Sequence, residues 1–560
     1  MSVKEETVEE KYRYREERPS SFETRSGFSI KTSYNPKDIE NLDYSADLNE
    51  PGKYPFTRGI HGDMYRKKLW NKRICAGFAS ASDTNKRFKY LLERGQTGLV
   101  SIPDVPTQFG LDPDHPNAAV NIGTCGIPLY SLREMEELLD GISLENIVFE
   151  LRTEHSHVAM VVLSHLIACA ENKGMDVSKL RGSVLHGPIR APVCSFYTIS
   201  SLLPIDVKFT VDIVEYAVKH MPLWYPLCPA GYDYRENGIN AVQELAFTFA
   251  ETISYVEAAS KRGVKYDEFG NRIVFALSGE MSFFEEIAKV RAARRLWAKI
   301  AKERLGSKDT RSQRLACSIK TAGSSLTAQQ PVNNIVRTTI ETLAAILGGA
   351  QSIDVAGYDE ALTLPSEEAG SVALNLQHIM SCETDVTSVA DPLGGSYFIE
   401  DLTNKVEEGT LKLLQEIDKM GGMISAVQKG WVRREVEKAF IERNKEIEEK
   451  RKIIVGVNDF HVPKEMEVNI PVYRDKQQEI SPEQQIQRVK KLKETRNNEK
   501  VVESLKNLRI KAEKGDEENL MFPLIEAAKA DATLSEVLGI IREAYGYSYD
   551  PFNVLKNPFF

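Results

Sequence analysis

Residues 272–320, RIVFALSGEMSFFEEIAKVRAARRLWAKIAKERLGSKDTRSQRLACSIK, decide the fold class because they join two short apolar runs through one amphipathic segment. The runs RIVFALSG (272–279) and LACSIK (315–320) are too short for ordinary helices, and their apolar, partly β-branched character is typical of buried strands. The segment between them, Phe283 to Arg304, has helical periodicity. A strand, a helix and a strand in this order predict a parallel β-α-β unit.

The same alternation continues on both sides of this unit. The other strand candidates are RICAGFA (73–79), TGLVSI (97–102), NIVFELR (146–152), RGSVLH (181–186), PLCPAG (226–231) and QSIDVA (351–356). The other predicted helices run from Asp83 to Arg94, Val158 to Asn172, Ala241 to Arg262 and Asn334 to Leu347. Eight strands that alternate with helices over roughly 290 residues predict a (β/α)8 TIM barrel. A doubly wound open sheet gives the same alternation but rarely stops at eight strands.

The composition divides the chain into three parts. Residues 1–45 are rich in Glu, Lys, Arg, Ser and Tyr without a sustained period, so we expect an arm that is disordered or lies over a partner. Residues 46–400 contain the barrel. Residues 401–560 contain charged amphipathic segments and form the predicted helical extension. These segments are Leu402–Met420, Ala426–Lys450, Gln484–Lys514 and Leu534–Ala544.

The composition also argues against several classes of protein. With 72 basic and 81 acidic residues, the net charge is -9, which leaves no excess of positive charge to neutralise a nucleic-acid backbone. No apolar run approaches the roughly 20 residues that span a bilayer, and the charged start does not resemble a secretory signal, so we expect a cytoplasmic protein. The 7 scattered cysteines contain no C-x-x-C pair and do not indicate a disulfide framework or a zinc ribbon.

Small or polar residues end many of the predicted strands, where a barrel interior is normally filled by Val, Ile and Leu. They are Ser101, Arg152, Thr153, Ser183, Ala230, Ser278, Ser318, Lys320 and Asp354. Either these residues lie at the solvated rim of the barrel, or the interior is hollow and holds a ligand along its axis. The residues alone leave both interpretations open.

Long blocks of the sequence resemble one known family. They are YPFTRG (54–59), GQTGLVSIPDVPTQFGLDPDHP (95–116), AGYDYRENG (230–238), FFEEIAKVRAARRLWA (283–298), KTAGSSLTAQQPVNNIVRT (320–338), LGGAQSIDVAGYDEALTLPSE (347–367) and VADPLGGSYFIE (389–400). Together with IIREAYG (540–546), these blocks resemble the large subunit of adenosylcobalamin-dependent acyl-CoA mutases, the methylmalonyl-CoA mutase family.

The resemblance implies a barrel threaded by the pantetheine arm of coenzyme A, with adenosylcobalamin across the C-terminal ends of the strands. It also implies a radical 1,2-rearrangement of the acyl group. In this family a flavodoxin-like domain with a D-x-H-x-x-G motif holds the cobalamin. Among the 9 histidines only Asp459-Phe460-His461 begins such a motif, and Lys464 stands where glycine is required. We therefore expect a small cobalamin-binding subunit on another chain, which contacts the N-terminal arm and the C-terminal helices.

Several positions match residues that bind coenzyme A or the cofactor in the family. The matches to coenzyme A contacts are Thr57, Arg58, Ser183 and Arg272, and guanidinium groups suit phosphates by charge and geometry. Glu360 resembles the acid that holds the ribose hydroxyls of the adenosyl group. Glu236 resembles the acid that accepts a hydrogen bond from a corrin amide.

Other positions depart from the family at the acyl group. Asp233 stands where a histidine bonds the thioester carbonyl, and Ser195 where an arginine pairs with the carboxylate of methylmalonyl-CoA. His61 replaces a tyrosine beside the adenosyl group, and Lys320 replaces the glutamine of a His-x-Gln pair. We take Asp233, Lys320, His61 and His186 as catalytic candidates. The predicted acyl pocket contains Leu185, Ser195 and Ile102.

These departures have consequences for the substrate. Without the arginine, a buried substrate carboxylate would lose the partner that offsets its desolvation, so methylmalonyl-CoA is not the expected substrate. An ionised Asp233 can accept but not donate a hydrogen bond. For a thioester carbonyl to lie beside it, Asp233 must be protonated or paired with a cation such as Lys320.

Three interpretations of the altered site stay open. The first is a mutase whose pocket is rebuilt for a bulkier or hydroxylated acyl group. The second is a catalytically degenerate subunit that binds acyl-CoA or scaffolds a mutase complex. The third is a metal-dependent lyase or hydrolase on the same barrel, with ligands among His155, His157, His186 and Asp233.

Overall fold

The computed structural model describes residues 22–194, 202–203, 205–463 and 481–560. A short antiparallel hairpin, β1 (Phe22–Glu23) and β2 (Ser29–Ile30), precedes a set of parallel strands. The parallel strands are β3 (Asn71–Arg73), β4 (Cys75–Ala76), β5 (Gly98–Ser101), β6 (Val148–Arg152), β7 (Gly182–Leu185), β8 (Trp224–Tyr225), β9 (Val274–Gly279), β10 (Ala316–Thr321) and β11 (Ser352–Asp354).

The parallel strands pair in the order expected for a (β/α)8 barrel. Strands β4 to β8 pair successively in one sheet, and β9, β10, β11 and β3 pair in a second sheet. Only Ile74 separates β3 from β4, so the two sheets share one continuous stretch of chain. On the opposite side, the parallel bridges Leu227–Ile273 and Ala230–Ala276 join the chain after β8 to β9. This mixed α/β architecture confirms the predicted fold class.

The fifth predicted strand, PLCPAG (226–231), is the place where the sequence prediction was least accurate. The regular ladder ends at Tyr225, and only isolated bridges continue beyond it. Pro226 and Pro229 explain the change because proline has no backbone N–H to donate to a ladder. The carbonyl of Pro229 still accepts a hydrogen bond of 2.9 Å from the backbone N–H of Ala276.

Helices follow the strands and pack around them. Those of the barrel region are α1 (Ala81–Glu93), α2 (Val105–Gln108), α3 (Leu132–Leu138), α4 (Ser156–Asn172), α5 (Ala191–Cys194), α6 (Ile205–His220), α7 (Gly231–Glu236), α8 (Ala241–Lys261), α9 (Phe283–Lys299), α10 (Asn334–Gly348) and α11 (Glu367–Cys382). Three of the five predicted starts, Ala241, Phe283 and Asn334, are observed, and the other two helices begin two residues earlier than predicted. At the start of α8, the side chains of Asn240 and Gln243 form a reciprocal capping box.

The C-terminal part is helical, as predicted. Its helices are α12 (Tyr397–Lys419), α13 (Gly422–Gln428), α14 (Trp431–Glu448), α15 (Pro482–Thr495), α16 (Asn498–Ala512), α17 (Met521–Lys529) and α18 (Leu534–Ala544). Gly430, at φ 70°, separates α13 from α14, where the sequence predicted one helix. A left-handed residue ends a helix, and glycine adopts that conformation without steric cost.

The arm and the C-terminal helices both contact the barrel region. Arg25 donates a hydrogen bond of 2.9 Å to the carbonyl of Gly238, and the backbone N–H of Ser26 donates to Glu285 at 3.0 Å. Helices α17 and α18 pack against α4, which explains why α4 is buried over nearly its whole length. In the described part of the chain, the helices are too short or too polar to cross a membrane.

Charged side chains form a buried network inside the barrel. Along β6, Phe149 and Leu151 join the main hydrophobic core, so Glu150 and Arg152 point to the other face, which is the interior. Glu150 pairs with Arg73 of β3 and with Arg152, each at 2.6 Å. Arg152 also pairs with Asp354 of β11 at 2.9 Å. Two cations therefore balance two carboxylates.

The network fixes the ionisation of Glu150. Burial alone would raise the pKa of this carboxyl group, but the guanidinium groups of Arg152 and Arg73 lower it to about 2. Glu150 is therefore a carboxylate at any pH at which the protein is handled. It also accepts a hydrogen bond of 3.1 Å from the hydroxyl of Ser183 on β7.

Replacing Glu150 by Gln should lower the urea concentration at the midpoint of unfolding at pH 7. The substitution leaves Arg73 and Arg152 without their shared carboxylate, and breaking a buried pair in this way costs about 3–5 kcal/mol. Because the folded pKa is lowered from 4.5 to about 2, the wild-type advantage is fully present above pH 4.5 and decreases as the pH falls towards 2. Urea unfolding at pH 7 and pH 4 measures both effects.

The matched control is Glu442→Gln, which removes an exposed ion pair with Arg451 and should leave the midpoint nearly unchanged. Equal midpoints for Glu150→Gln and the wild type at pH 7 would contradict the assigned role of the network.

Candidate active site

One wall of the barrel interior consists of small apolar side chains. Leu185, Cys228, Ala230 and Ala276 form a buried cluster, with Val274 packed against it. This cluster is separate from the main hydrophobic core between the strands and the helices. The other wall carries the ion network of Glu150. The sequence left open whether the polar strand residues lie at the solvated rim or inside a hollow barrel. Ser183 and Asp354 are buried inside the barrel, so the rim interpretation is wrong for these two residues.

An ion cluster lies where β6, β7 and β8 end. The Nε atom of Arg190 is 2.7 Å from Oδ2 of Asp233, and its Nη2 atom is 3.5 Å from Oε2 of Glu154. The Arg190 side chain is fully buried, whereas the carboxylates of Asp233 and Glu154 are 29% and 23% exposed. The cluster therefore presents two carboxylates to the barrel opening and keeps the cation behind them.

Arg190 was missed by the sequence analysis, which expected Lys320 as the cation beside Asp233. Strand order does not indicate which cation reaches a given carboxylate, and Arg190 lies in a loop whose residues show no periodic pattern. The one residue of the sequence that is connected with this contact is Gly187. A Cβ atom at this position would lie 2.0 Å from Nη1 of Arg190, so a glycine is needed for the guanidinium to lie there.

The charge of this cluster changes near neutral pH. Burial raises the pKa of Glu154 to about 7, and the neighbouring guanidinium of Arg190 only partly opposes that effect. When Glu154 is protonated, Arg190 has Asp233 as its one charged partner in this group of three.

A second polar cluster lies where β10 and β11 end. Lys320 is 3.7 Å from Glu360, and its ammonium group lies 4.9 Å from the ring centre of Tyr232. Burial disfavours the charge of Lys320, but Tyr232 and Glu360 outweigh it and raise its pKa well above 10.5. The structure thus brings together Lys320 and Glu360, which the sequence had assigned to different roles, and places both apart from the ion pair of Asp233.

Glu236 joins this second cluster through the turn after β10. Its carboxylate accepts hydrogen bonds from the backbone N–H of Ser324 at 2.7 Å and from the Ser324 hydroxyl at 3.3 Å. A Cβ atom at Gly323 would lie 3.2 Å from one oxygen of Glu236 and 3.2 Å from one oxygen of Glu360. The two carboxylates therefore both approach Gly323 closely, and together they offer acceptors to a ligand with hydroxyl or amide donors.

His186 lies below the opening in a buried hydrogen-bond chain. Its Nδ1 atom is 2.9 Å from the hydroxyl of Ser156, which in turn is 2.8 Å from the hydroxyl of Thr210. Burial lowers the pKa of His186 to about 4, so its imidazole is neutral at pH 7. The hydrogen bond between His186 and Ser156 is a structural role for this histidine, and it requires no contact between His186 and a substrate.

Two of the residues proposed as metal ligands form a group with Asp206 at the start of α6. His155, His157 and Asp206 have candidate ligand atoms that all lie within 4.8 Å of one another, and all three residues are buried. Nδ1 of His157 is 2.7 Å from Asp206, which is also an ordinary hydrogen-bond distance. The other two proposed ligands have different partners, since His186 contacts Ser156 and Asp233 pairs with Arg190.

Thr57 and Arg58, predicted to contact coenzyme A, lie in a segment that Arg294 holds in place. The Arg294 guanidinium donates to the carbonyls of Phe56 at 2.9 Å and Thr57 at 2.7 Å. The hydroxyl of Thr57 is buried and donates to the carbonyl of Asp47. Arg58 pairs with Asp391 at 3.0 Å and stays partly exposed. Arg58 therefore remains a coenzyme A candidate, and Arg294 is a structural residue that the sequence analysis missed.

Ser183 and Arg272, the other predicted coenzyme A contacts, have protein partners. The hydroxyl of Ser183 donates to Glu150 inside the barrel, as described above. Arg272 donates to the carbonyls of Ala217 and Met221, at 3.1 and 3.0 Å, and thereby caps the end of α6. The contacts of Arg272 differ from the predicted ones because a guanidinium donates to the carbonyls at the end of a helix as readily as it donates to a phosphate.

The remaining predicted residues lie apart from the ion clusters or outside the described residues. His61 is exposed, and the charges that act on it belong to Arg314, Lys67 and Lys68, which precede β10 and β3. This position is at the N-terminal ends of the strands, away from Asp233. Ile102 is half-buried directly after β5, and Ser195 lies outside the described residues.

Comparison with known proteins agrees with this architecture. The model of the methylmalonyl-CoA mutase family matches residues 23–547. The 2-hydroxyisobutanoyl-CoA mutase large subunit of Aquincola tertiaricarbonis is 37% identical over 530 residues, which cover 95% of this chain and 93% of that protein. Methylmalonyl-CoA mutase of Rhizobium meliloti (strain 1021) is 35% identical over 523 residues, 93% of this chain and 72% of that protein. The mitochondrial enzyme of Homo sapiens is also 35% identical, over 93% of this chain and 68% of its own length. This chain belongs to the methylmalonyl-CoA mutase family, whose members are isomerases.

Proposed function

We propose that this chain is the substrate-binding subunit of a two-component, adenosylcobalamin-dependent acyl-CoA mutase. It rearranges an acyl-CoA other than methylmalonyl-CoA by a radical 1,2-shift. Membership of the mutase family supports the reaction class. The choice of substrate rests on one structural observation, which is the charge balance at the C-terminal opening of the barrel.

Arg190, Arg152 and Lys320 are the cations of the clusters described above, and each already holds a protein carboxylate. Arg190 pairs with Asp233, Arg152 pairs with Glu150 and Asp354, and Lys320 lies beside Glu360. A free carboxylate on the substrate would therefore find no uncompensated cation among these three. Burial of an unpaired carboxylate costs several kcal/mol, so a dicarboxylic acyl group such as methylmalonyl is disfavoured.

The relatives support a second, smaller subunit. This chain matches nearly the whole length of a relative named a large subunit, but only 68% of the human enzyme. The sequence also lacks a complete D-x-H-x-x-G motif. We assign the corrinoid-binding function to a partner chain. This partner would contact the barrel at the C-terminal ends of its strands and complete the active site.

The residues around Gly323 fit the cofactor expected from the family. Glu360 would accept hydrogen bonds from the adenosyl ribose hydroxyls, and Glu236 from a corrin amide. The approach of both carboxylates to the same glycine supports this assignment, because it places the two acceptors side by side. When bound, adenosylcobalamin supplies radical chemistry through its cobalt–carbon bond. The protein binds and orients the acyl group and excludes water from it.

The apolar wall and the ion clusters divide these tasks. Leu185, Ala230 and Ala276 give the acyl group a dry surface, which protects reactive species from water. Asp233 replaces the family's imidazole, and Arg190 keeps its carboxylate in place. The thioester carbonyl therefore has a different environment from that in methylmalonyl-CoA mutases, which is consistent with a different acyl group.

Reconstitution with a cobalamin-binding small subunit tests the proposed activity. With adenosylcobalamin and a panel of monocarboxylic acyl-CoA esters, we expect substrate-dependent cobalt–carbon homolysis, seen as a visible absorbance change, and isomerised product by mass spectrometry. The chain without the small subunit is the control and should be inactive. If no acyl-CoA in the panel produces homolysis or product, the chain is a non-catalytic subunit and the proposal fails.

Glu360→Gln should raise the apparent KM for adenosylcobalamin by roughly tenfold or more, since a hydrogen bond to a charged acceptor is worth about 1.5–3 kcal/mol. The dissociation constant of the acyl-CoA, measured without cofactor, should change less than twofold. Glu368→Gln, an exposed glutamate eight positions further along the chain, is the matched control. An unchanged KM for the cofactor in Glu360→Gln would show that Glu360 does not bind it.

A further inference from the structure

Asp233 has the properties of a ligand-binding carboxylate. In the described part of the chain, its side chain has one ion pair, in which Oδ2 faces Nε of Arg190 at 2.7 Å. The side chain is 29% exposed, so the carboxylate is open towards the barrel opening. The fully buried guanidinium behind it fixes its position. A carboxylate so held is preorganised to accept a further hydrogen bond.

Asp233 also lies at the end of the apolar wall. Ala230 belongs to that wall and is three residues before Asp233, while Leu185 of the same wall is two residues before Gly187, over which Arg190 packs. The wall therefore leads directly to the ion pair of Arg190 and Asp233. An acyl group that lies against Leu185, Ala230 and Ala276 has Asp233 as the polar neighbour at the open end of this wall.

The chemistry of the pair restricts what this acyl group can carry. An ionised carboxylate accepts hydrogen bonds but cannot donate them, so its ligand must be a donor. A substrate carboxylate would be repelled by Asp233 and Glu154. A hydroxyl group is a neutral donor, which avoids this repulsion and leaves the balance between Arg190 and Asp233 unchanged.

We infer that Asp233, positioned by Arg190, accepts a hydrogen bond from a hydroxyl group on the acyl chain, so that the substrate is a hydroxyacyl-CoA. This inference rests on the proposed acyl-CoA mutase function and specifies its substrate class. Asp233 contacts the substrate directly, and Arg190 is a positioning residue that acts through Asp233. The purpose of the buried guanidinium is then to keep an acceptor, and not a donor, at this point of the site.

Selectivity follows from the same arrangement. An acyl group without the hydroxyl leaves the Asp233 carboxylate partly desolvated and without its donor, which a hydrogen-bonding site penalises strongly. An apolar pocket alone would discriminate much less between a hydroxylated acyl group and its deoxy counterpart. Asp233 is therefore the residue that should decide between them.

Binding to the full chain without cofactor tests the inference separately from catalysis. Isothermal titration calorimetry compares 3-hydroxybutanoyl-CoA with butanoyl-CoA, and 2-hydroxy-2-methylpropanoyl-CoA with 2-methylpropanoyl-CoA. We expect at least one hydroxyacyl ester to bind tenfold or more tightly than its deoxy partner. Asp233→Ala should reduce that ratio to about one. Asp233→Asn, which keeps the shape but only a neutral acceptor, should give an intermediate ratio.

Two further variants separate positioning from folding. Arg190→Lys keeps a cation behind Asp233 and should retain most of the preference for the hydroxyacyl ester. Arg190→Met should lose the preference while the affinity for the deoxy ester stays within about threefold, a pattern that general misfolding does not produce. Asp309→Asn, a partly exposed aspartate that pairs with Arg311, is the control and should leave every ratio unchanged.

The possible outcomes are distinct. Equal affinities for the hydroxyacyl and deoxy esters, or a preference that survives in Asp233→Ala, would overturn the inference and leave the mutase function standing. If no acyl-CoA ester binds to the chain, both the inference and the proposed function fail.

Discussion

The pairing of Glu150 with Arg73 and Arg152 is the interaction on which the interior of this barrel depends. Charged groups are buried between the strands only when each has a partner, because an isolated ion in a low-dielectric interior is strongly destabilised. Here one carboxylate joins two guanidinium groups at 2.6 Å each, and Asp354 completes the balance. The result is a polar but neutral wall in place of the Val, Ile and Leu layers of an ordinary barrel.

The same rule governs the opening of the barrel. Arg190 is buried because Asp233 and Glu154 compensate it, and Lys320 because Glu360 and Tyr232 do. The two clusters suggest a division of labour, in which Asp233 faces the acyl group and the carboxylates around Gly323 face the cofactor. A site in which every cation already has a carboxylate is suited to a neutral acyl group. The departures expected from the family resemblance are consistent with this, since Ser195 in place of an arginine would remove a cation for the substrate and Asp233 would add an acceptor.

Much of the fold was predictable from the sequence, because hydrophobic periodicity and chain order specify alternating strands and helices. The exception near β8 arose from Pro226 and Pro229, which interrupt a ladder without changing the apolar pattern. The proximity of Glu360 and Lys320 could be anticipated only in part, from their positions at the ends of neighbouring strands. The pairing of Asp233 with Arg190 could not, since a loop residue has no periodicity that indicates its direction. Ser183 and Arg272 matched family positions, yet their contacts depend on side-chain geometry that spacing does not encode.

The central claim is that the acyl site has no cation for a substrate carboxylate. Equilibrium binding of methylmalonyl-CoA and propanoyl-CoA to the isolated chain tests this claim most directly, because the two esters differ only by that carboxylate. The charge balance predicts that propanoyl-CoA binds at least tenfold more tightly at pH 7.5. Tighter binding of methylmalonyl-CoA would contradict the claim, and would mean that a cation of this chain is available to the substrate after all.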